Sequence, residues 1–493
     1  MSDLRQLVRG CTFDDFLLTP QYSVIERRDP TTIDLASRLS EHLVLKRPIV
    51  SANMDTITRA DMAIAIAEEG GIGIIDRGFR SGDIAPQVRE VERVKRRQHG
   101  VIADPYTIHP SAPLGEALEI MRQTGVGTLV VVDDAKRVVG LLTTRDLRFA
   151  DRQGTVADRM TPRDHLVVSE SGIDSAAAEA AMRTHKIKKL PLIDREGRLM
   201  GLVTAKDLLQ QKRLPFATRD GHGRLRVGAA IGAKGDYLER AAELLRVGAD
   251  VIVIDIAHGH SAVMGRAIDA FRRQFGDAEL IAGNVATADG TRFLVERGVN
   301  GVKVGIGPGG GCTTRLNTNF GVPQVEALVT CREVAGRVPL IADGGVRRDG
   351  ALAQALLFGG DTVMLGSVLA GTIETPGDTV QKPVVIPESH KTVKVPFKVF
   401  RGMASLQAIV DRLDVEDAET ADVEALGAEG MEVSVPARGS VRPIVRDMLK
   451  HLCSAISYGG ANSLAELRQM FQQDPERYVI RLSESARRES FDR

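Results

Sequence analysis

The sequence predicts an α/β protein: a (β/α)8 TIM barrel interrupted by an inserted tandem repeat. Two observations lead there. Eight short apolar runs, each closing on Gly, Asp, Asn or Ser, recur along the chain, most of them followed by a helix-like segment. Buried strands alternating with crossover helices are the pattern of a parallel barrel, whose site lies at the C-terminal strand ends. Between the second and third of these runs, Gly140 and its neighbours recur at Gly201, an offset of 61 residues, so a repeated unit of different character sits inside the barrel sequence.

In chain order the barrel runs begin at Pro48, Ile72, Val227, Val251, Leu280, Val302, Leu340 and Val363, with helices expected from Tyr237 to Gly248 and from Gly350 to Phe358. In the insert, Val139-Gly140-Leu141-Leu142-Thr143-Thr144-Arg145-Asp146-Leu147 matches Met200-Gly201-Leu202-Val203-Thr204-Ala205-Lys206-Asp207-Leu208. Each copy reads as helix, strand, turn, strand, then Thr-x-x-Asp opening a helix. Thr143 and Thr204 are N-cap candidates with Asp146 and Asp207 in the first turn. The division expected is a barrel with a C-terminal flap over 1–97 and 214–493, and an inserted module over 98–213. After the last barrel run, the Val/Lys/Pro-rich stretch from Asp378 to Phe400 reads as an extended hairpin or arm. The acidic stretch from Asp414 to Gly427 reads as a second flap element over the barrel mouth.

Composition narrows the function class. Lys+Arg and Asp+Glu are both 65 among 493 residues, which argues against a general polyanion binder. Cys11, Cys312, Cys331 and Cys453 lie far apart with no C-x-x-C pair, a reduced, cytoplasmic pattern and not a disulfide or zinc framework. The N-terminus has no apolar h-region and no apolar run reaches membrane-spanning length, so neither membrane nor specific nucleic acid is an expected partner.

The stretch richest in chemistry is Gly305-Ile306-Gly307-Pro308-Gly309-Gly310-Gly311-Cys312-Thr313-Thr314-Arg315. Glycines allow close backbone approach, and their N–H groups can line a phosphate concavity. A thiol on such a loop can attack a phosphorylated substrate that the loop has positioned.

With these residues placed, the chain resembles the IMP dehydrogenase/GMP reductase family nearly end to end. Phe13-Asp14-Asp15-Phe16-Leu17-Leu18-Thr19-Pro20, Ser51-Ala52-Asn53-Met54-Asp55, Asp255-Ile256-Ala257-His258-Gly259-His260, Gly283-Asn284-Val285-Ala286-Thr287, Asp343-Gly344-Gly345 and Arg401-Gly402-Met403-Ala404-Ser405 follow in family order. The insert resembles a tandem pair of CBS domains (a Bateman module). The resemblance implies that Cys312 adds to purine C2, beside a nicotinamide, with Thr314 near the reacting carbon and Glu374 assisting loss of ammonia. It implies that Ser51, Gly310, Asp343, Gly345, Gly366, Ser367, Met403 and Glu429 bind the nucleotide, and that Asp255 and Asn284 lie on the nicotinamide side. Gly307, Gly309, Cys312, Glu489 and Ser490 are the candidate K+ ligands. Thr143, Asp146, Thr204 and Asp207 would meet regulatory purine nucleotides. A homotetramer, or an octamer of stacked tetramers, is the assembly implied.

Departures from the family pattern set the expected direction of reaction. The dehydrogenases are similar in carrying a flap Arg-x-x-Tyr whose Arg activates water; here Ser434 and Ala437 stand at those places, with Arg438 where a Lys is usual. A neutral Ser is a poor base at pH 7. Gly310 replaces a Ser, Phe400 a phosphate-binding Tyr, Phe491 a His in the tail, and Asp76 a His near the cofactor side. The expectation is an NADPH-dependent GMP reductase. The alternatives are an IMP dehydrogenase oxidising IMP with NAD through Thr314 or Arg438, and a non-catalytic nucleotide-sensing homologue.

Overall fold

The computed structural model describes residues 2–97, 101–102, 105–147, 153–385, 392–413 and 427–491; the side chains at 2, 3, 101, 175, 207, 210 and 211 lie outside that description, as does the acidic stretch 414–426. All eight expected runs become strands: β1 (Ile49–Ser51), β2 (Ile72–Ile75), β3 (Val227–Ile231), β4 (Val251–Asp255), β5 (Leu280–Val285), β6 (Gly301–Val304), β7 (Leu340–Asp343) and β8 (Thr362–Leu365). They pair in parallel around a closed barrel in the order β3-β4-β5-β6-β7-β8-β1-β2. Six of them are buried at every position, which is why they read as continuous apolar runs instead of alternating ones. Val50, Ile72, Ile74, Val251, Val253, Ile281, Ile341 and Met364 fill the interior, and Leu39, Leu43 and Leu45 pack against them in one cluster.

After β8 come β9 (Val380–Val385), β10 (Thr392–Arg401) and β11 (Glu432–Pro436). β10 pairs antiparallel with both neighbours, so the Val/Lys/Pro-rich stretch is a hairpin completed by a third strand.

The chain separates into two compact units, one of residues 1–96, 216–218 and 225–493, the other of residues 97–215 and 219–224. In the second unit the 61-residue repeat extends to fine detail. Thr128–Val132 pairs with Val138–Thr143, and Lys189–Ile193 with Leu199–Thr204, each with a register shift at the equivalent place, Val131/Val132 and Leu192/Ile193. Asp133 accepts from the N–H groups of Ala135 and Arg137, and Asp194 from those of Glu196 and Arg198, so both hairpin turns are held by the same carboxylate device. The outer strand of the second half, Val101–Ile102, precedes the first half in sequence. The second half thus takes a strand from chain that precedes the first half to complete its sheet.

Candidate active site

Side chains converge at the C-terminal ends of the barrel strands. β4 ends in Asp255, β5 carries Asn284, β6 carries Lys303 and β7 ends in Asp343. Lys303 Nζ lies 2.9 Å from Asp255 Oδ1 and 2.7 Å from Asp343 Oδ2, and donates to Asn284 Oδ1. Asn284 Nδ2 donates in turn to Gly305 O at 2.7 Å and Asp343 Oδ2 at 2.8 Å, and Arg77 Nε reaches Asp255 Oδ2 at 3.3 Å. Burial opposes ionisation of Asp255, but Lys303 and Arg77 outweigh it and hold its pKa at about 2. Burial likewise disfavours the Lys303 ammonium, and the two carboxylates more than restore it, raising its pKa above the ordinary lysine value. The cluster is a fixed platform in which Lys303 ties Asp255, Asn284 and Asp343 together.

Above it runs the Cys312 loop. Gly305 follows β6 with φ +148°, and a Cβ there would sit 2.1 Å from Asp343 O, so only glycine lets the loop leave the strand alongside β7. Cys312 N–H donates to Gly309 O at 3.1 Å, closing the turn. The Cys312 thiol donates to Thr314 Oγ1 at 3.2 Å, and the Thr314 hydroxyl donates to Glu429 Oε2 at 2.7 Å. The chain before β11 is zipped onto this loop: Thr313 N–H donates to Glu429 O at 2.9 Å, Met431 N–H to Gly311 O at 3.0 Å and Gly402 N–H to Met431 O at 3.0 Å. Backbone pairing therefore fixes Glu429 opposite Cys312. The other edge is secured by Arg401, which ion-pairs Asp55 at 2.6 Å and Asp411 at 2.7 Å.

These elements enclose a cavity of about 220 Å³. Cys312, Thr314, Gly307, Gly309, Gly310, Asp343, Gly345, Gly366, Ser367, Met403, Glu429, Asp255 and Asn284 all line it, and Phe400 does too. Four expected residues do not. Glu374 is a correction: its Oε1 accepts from the Ser440 hydroxyl and its Oε2 from Val441 N–H at 2.9 Å, so it caps the N-terminus of helix Val441–Tyr458. The carboxylate at Thr314 is Glu429 instead. Ser51 is wholly buried at the end of β1 and does not reach the cavity, because the chain turns into it only from Ala52 onward. Glu489 and Ser490 sit on helix Glu484–Phe491 with the Ser490 hydroxyl spent on Ala486 O, so this chain does not bring them to Gly307 and Gly309.

The flap departures are placed as well. Ser434, on β11, accepts from Lys382 Nζ at 2.5 Å, and Arg438 Nη1 donates to Val368 O at 3.0 Å; neither lines the cavity, nor does Ala437. Asp76 is buried against Arg59, outside the cavity. In the second unit, Asp146 Oδ2 accepts from both Thr143 N–H and Thr143 Oγ1 at 2.7 Å, the local capping arrangement. The Asp207 side chain lies outside the described residues.

Sequence reasoning passed over Lys303, Arg77 and the Arg401–Asp55 pair. The signal for Lys303 was present: a cation inside the otherwise apolar Gly301–Val304 run has to be paired. Arg77 and Arg401 carry no such local mark, since their partners lie 178 and 346 residues away.

A model of the "IMP dehydrogenase / GMP reductase domain" matches residues 10–492. The inosine-5'-monophosphate dehydrogenase of Aquifex aeolicus is 42% identical over 470 residues, covering 94% of this chain and 92% of that protein; that of Nitrosopumilus maritimus is 42% identical over 465 residues, covering 93% and 94%. Among solved structures, a GMP reductase from Trypanosoma brucei in complex with guanosine 5'-monophosphate superposes with a TM-score of 0.86 at 38% identity, covering 98% of this chain and 97% of that one. Barrel, cysteine loop and similarity over nearly the whole length agree: this chain belongs to the IMP dehydrogenase/GMP reductase family.

Proposed function

We propose that this protein is a GMP reductase, converting GMP to IMP and ammonia with NADPH. The observation that carries the reading is the chain Cys312–Thr314–Glu429, set in a cavity that no residue of the flap's expected water-activating pair enters. As Cys312 Sγ bonds to purine C2, its thiol proton would pass through Thr314 to Glu429. The exocyclic amine then leaves as ammonia, taking that proton back from Glu429 through Thr314. C2 then receives a hydride, the chemistry a bound nicotinamide supplies, and the C2–S bond breaks to return the thiolate and release IMP. No water need be activated, which matches Ser434 and Ala437.

The other lining residues support this division of labour. Gly310, Gly345, Gly366 and Ser367 offer backbone N–H groups and a hydroxyl to a phosphate. Asp343, held by Lys303 and Asn284, can accept from ribose hydroxyls. Asp255, Asn284 and Arg77 flank the space left for the nicotinamide, and their charges and amide suit a carboxamide. The resemblance of the inserted repeat to tandem CBS domains supports a regulatory role for it, with purine nucleotides as effectors.

The second reading, IMP dehydrogenase with NAD, is favoured by the names of curated relatives at 42% identity. The discriminating experiment is product analysis after incubating GMP with NADPH. Stoichiometric IMP and ammonia support the reductase; unchanged GMP, with XMP formed from IMP and NAD, refutes it.

A further inference from the structure

Arg315 ends the Cys312-Thr313-Thr314-Arg315 run, and no step above uses it. Its stem threads between two glycines. A Cβ on Gly307 would lie 2.5 Å from Arg315 Cγ and 2.6 Å from Nε, and one on Gly321 would lie 2.7 Å from Cγ and 2.8 Å from Nε. Both glycines have positive φ, +86° and +151°. The stem thus fills a slot that exists only because both walls lack side chains. At the far end, Nη2 donates to Ile306 O at 3.3 Å and also to Val322 O. Nε is buried with no acceptor among the described residues.

The placement spans three segments. Ile306 and Gly307 begin the cysteine loop. Arg315 itself lies in the short helix Thr314–Thr318 that follows Cys312, and Gly321 and Val322 lead into helix Gln324–Val334. One side chain therefore ties the start of the loop to its end and to the next connection. The loop needs such a tie: five of the seven residues from Gly305 to Gly311 are glycine, and glycine has little backbone preference of its own. A reacting thiol has to be held about 3–3.5 Å from the carbon it attacks. One nitrogen of the planar guanidinium, Nη2, meets both carbonyls at once.

We propose that Arg315 is the positioning residue of the Cys312 loop: its stem, locked between Gly307 and Gly321, and its Nη2 on Ile306 O and Val322 O hold the thiol in reactive register. The proposal rests on Cys312 being the nucleophile. The guanidinium also interacts electrostatically with Cys312.

The test uses full-length Arg315→Met, which keeps the stem and removes the guanidinium, and Arg315→Lys, which keeps the stem, the charge and one donor nitrogen. Four quantities are read: kcat, KM for GMP, thermal midpoint, and the rate of iodoacetamide labelling at Cys312 located by mass spectrometry. In Arg315→Met, kcat is expected to fall by about 10²-fold, the size of loss that a misplacement of about 1 Å produces. KM should move much less and Cys312 should label more slowly, while Arg315→Lys recovers part of both losses. A lowered thermal midpoint with wild-type kcat and labelling per folded molecule would mean Arg315 only stabilises the fold, and overturns the proposal. Slower labelling with unchanged turnover would keep Arg315 as the tie of the loop and overturn Cys312 as nucleophile, so the two failures are distinguishable.

Discussion

Replacing Glu429 by Gln removes a proton donor while leaving the backbone that zips the flap to the cysteine loop. Glu429 O still accepts from Thr313 N–H at 2.9 Å, and a Gln amide oxygen can still accept from the Thr314 hydroxyl that now lies 2.7 Å from Oε2. Binding geometry is therefore retained and acid–base capacity is lost. Of the carboxylates lining the cavity, Asp255 and Asp343 are both bound to Lys303, so neither is free to take over. Loss of a positioned acid–base group costs about 10²–10⁴-fold, or about 3–5 kcal/mol of transition-state stabilisation. The assay is single-turnover rapid quench with GMP and NADPH, resolving ammonia release from hydride transfer. The expected result is a slowed ammonia-forming step with KM for GMP little changed. A loss smaller than about tenfold, below the range for such a group, would refute the relay.

Cys312→Ala should abolish turnover and keep the fold, whereas Ala at Cys11, Cys331 or Cys453, all buried away from the cavity, should keep most activity; kcat and circular dichroism on the four variants check this. Glu374→Gln should leave kcat near wild type and lower the thermal midpoint, since the lost charge at a helix N-terminus and its weakened hydrogen bonds are worth about 1 kcal/mol. Asp76 gives a pH signature. Burial, opposed in part by Arg59, lifts its pKa to about 6 from 3.8, so its contribution to stability is fully present below about pH 4 and is lost as pH rises through about 6. A shift of that size amounts to about 3 kcal/mol. Asp76→Asn should cancel that slope, read as urea midpoints of both proteins between about pH 4 and 7.

The barrel was legible because burial on both faces writes a strand as an unbroken apolar run, and Gly305 or Asp343 marks where such a run meets the site. The insert was legible because repetition needs no propensity rule; the recurrence of Asp133 at Asp194 follows from the same 61-residue offset. Identity of residue type did not suffice for Glu374. A glutamate at a plausible place in the sequence was assigned to the chemistry, yet its position beside Ser440 makes it a cap, and Glu429 reaches Thr314 only because Met431 and Gly402 pair with the cysteine loop. Those are contacts across more than a hundred residues of chain. The same holds for Arg401, whose partner Asp55 sits on the far side of the insert in sequence.

The central claim is the direction of the reaction, and absorbance at 340 nm tests it most directly. The full-length protein is given GMP with NADPH and, separately, IMP with NAD. The expected result is a fall in absorbance with the first pair at an enzymatic rate, at most a slow rise with the second, and loss of the fall in Cys312→Ala. A steady rise with IMP and NAD, and no change with GMP and NADPH, would contradict it and make the protein an IMP dehydrogenase.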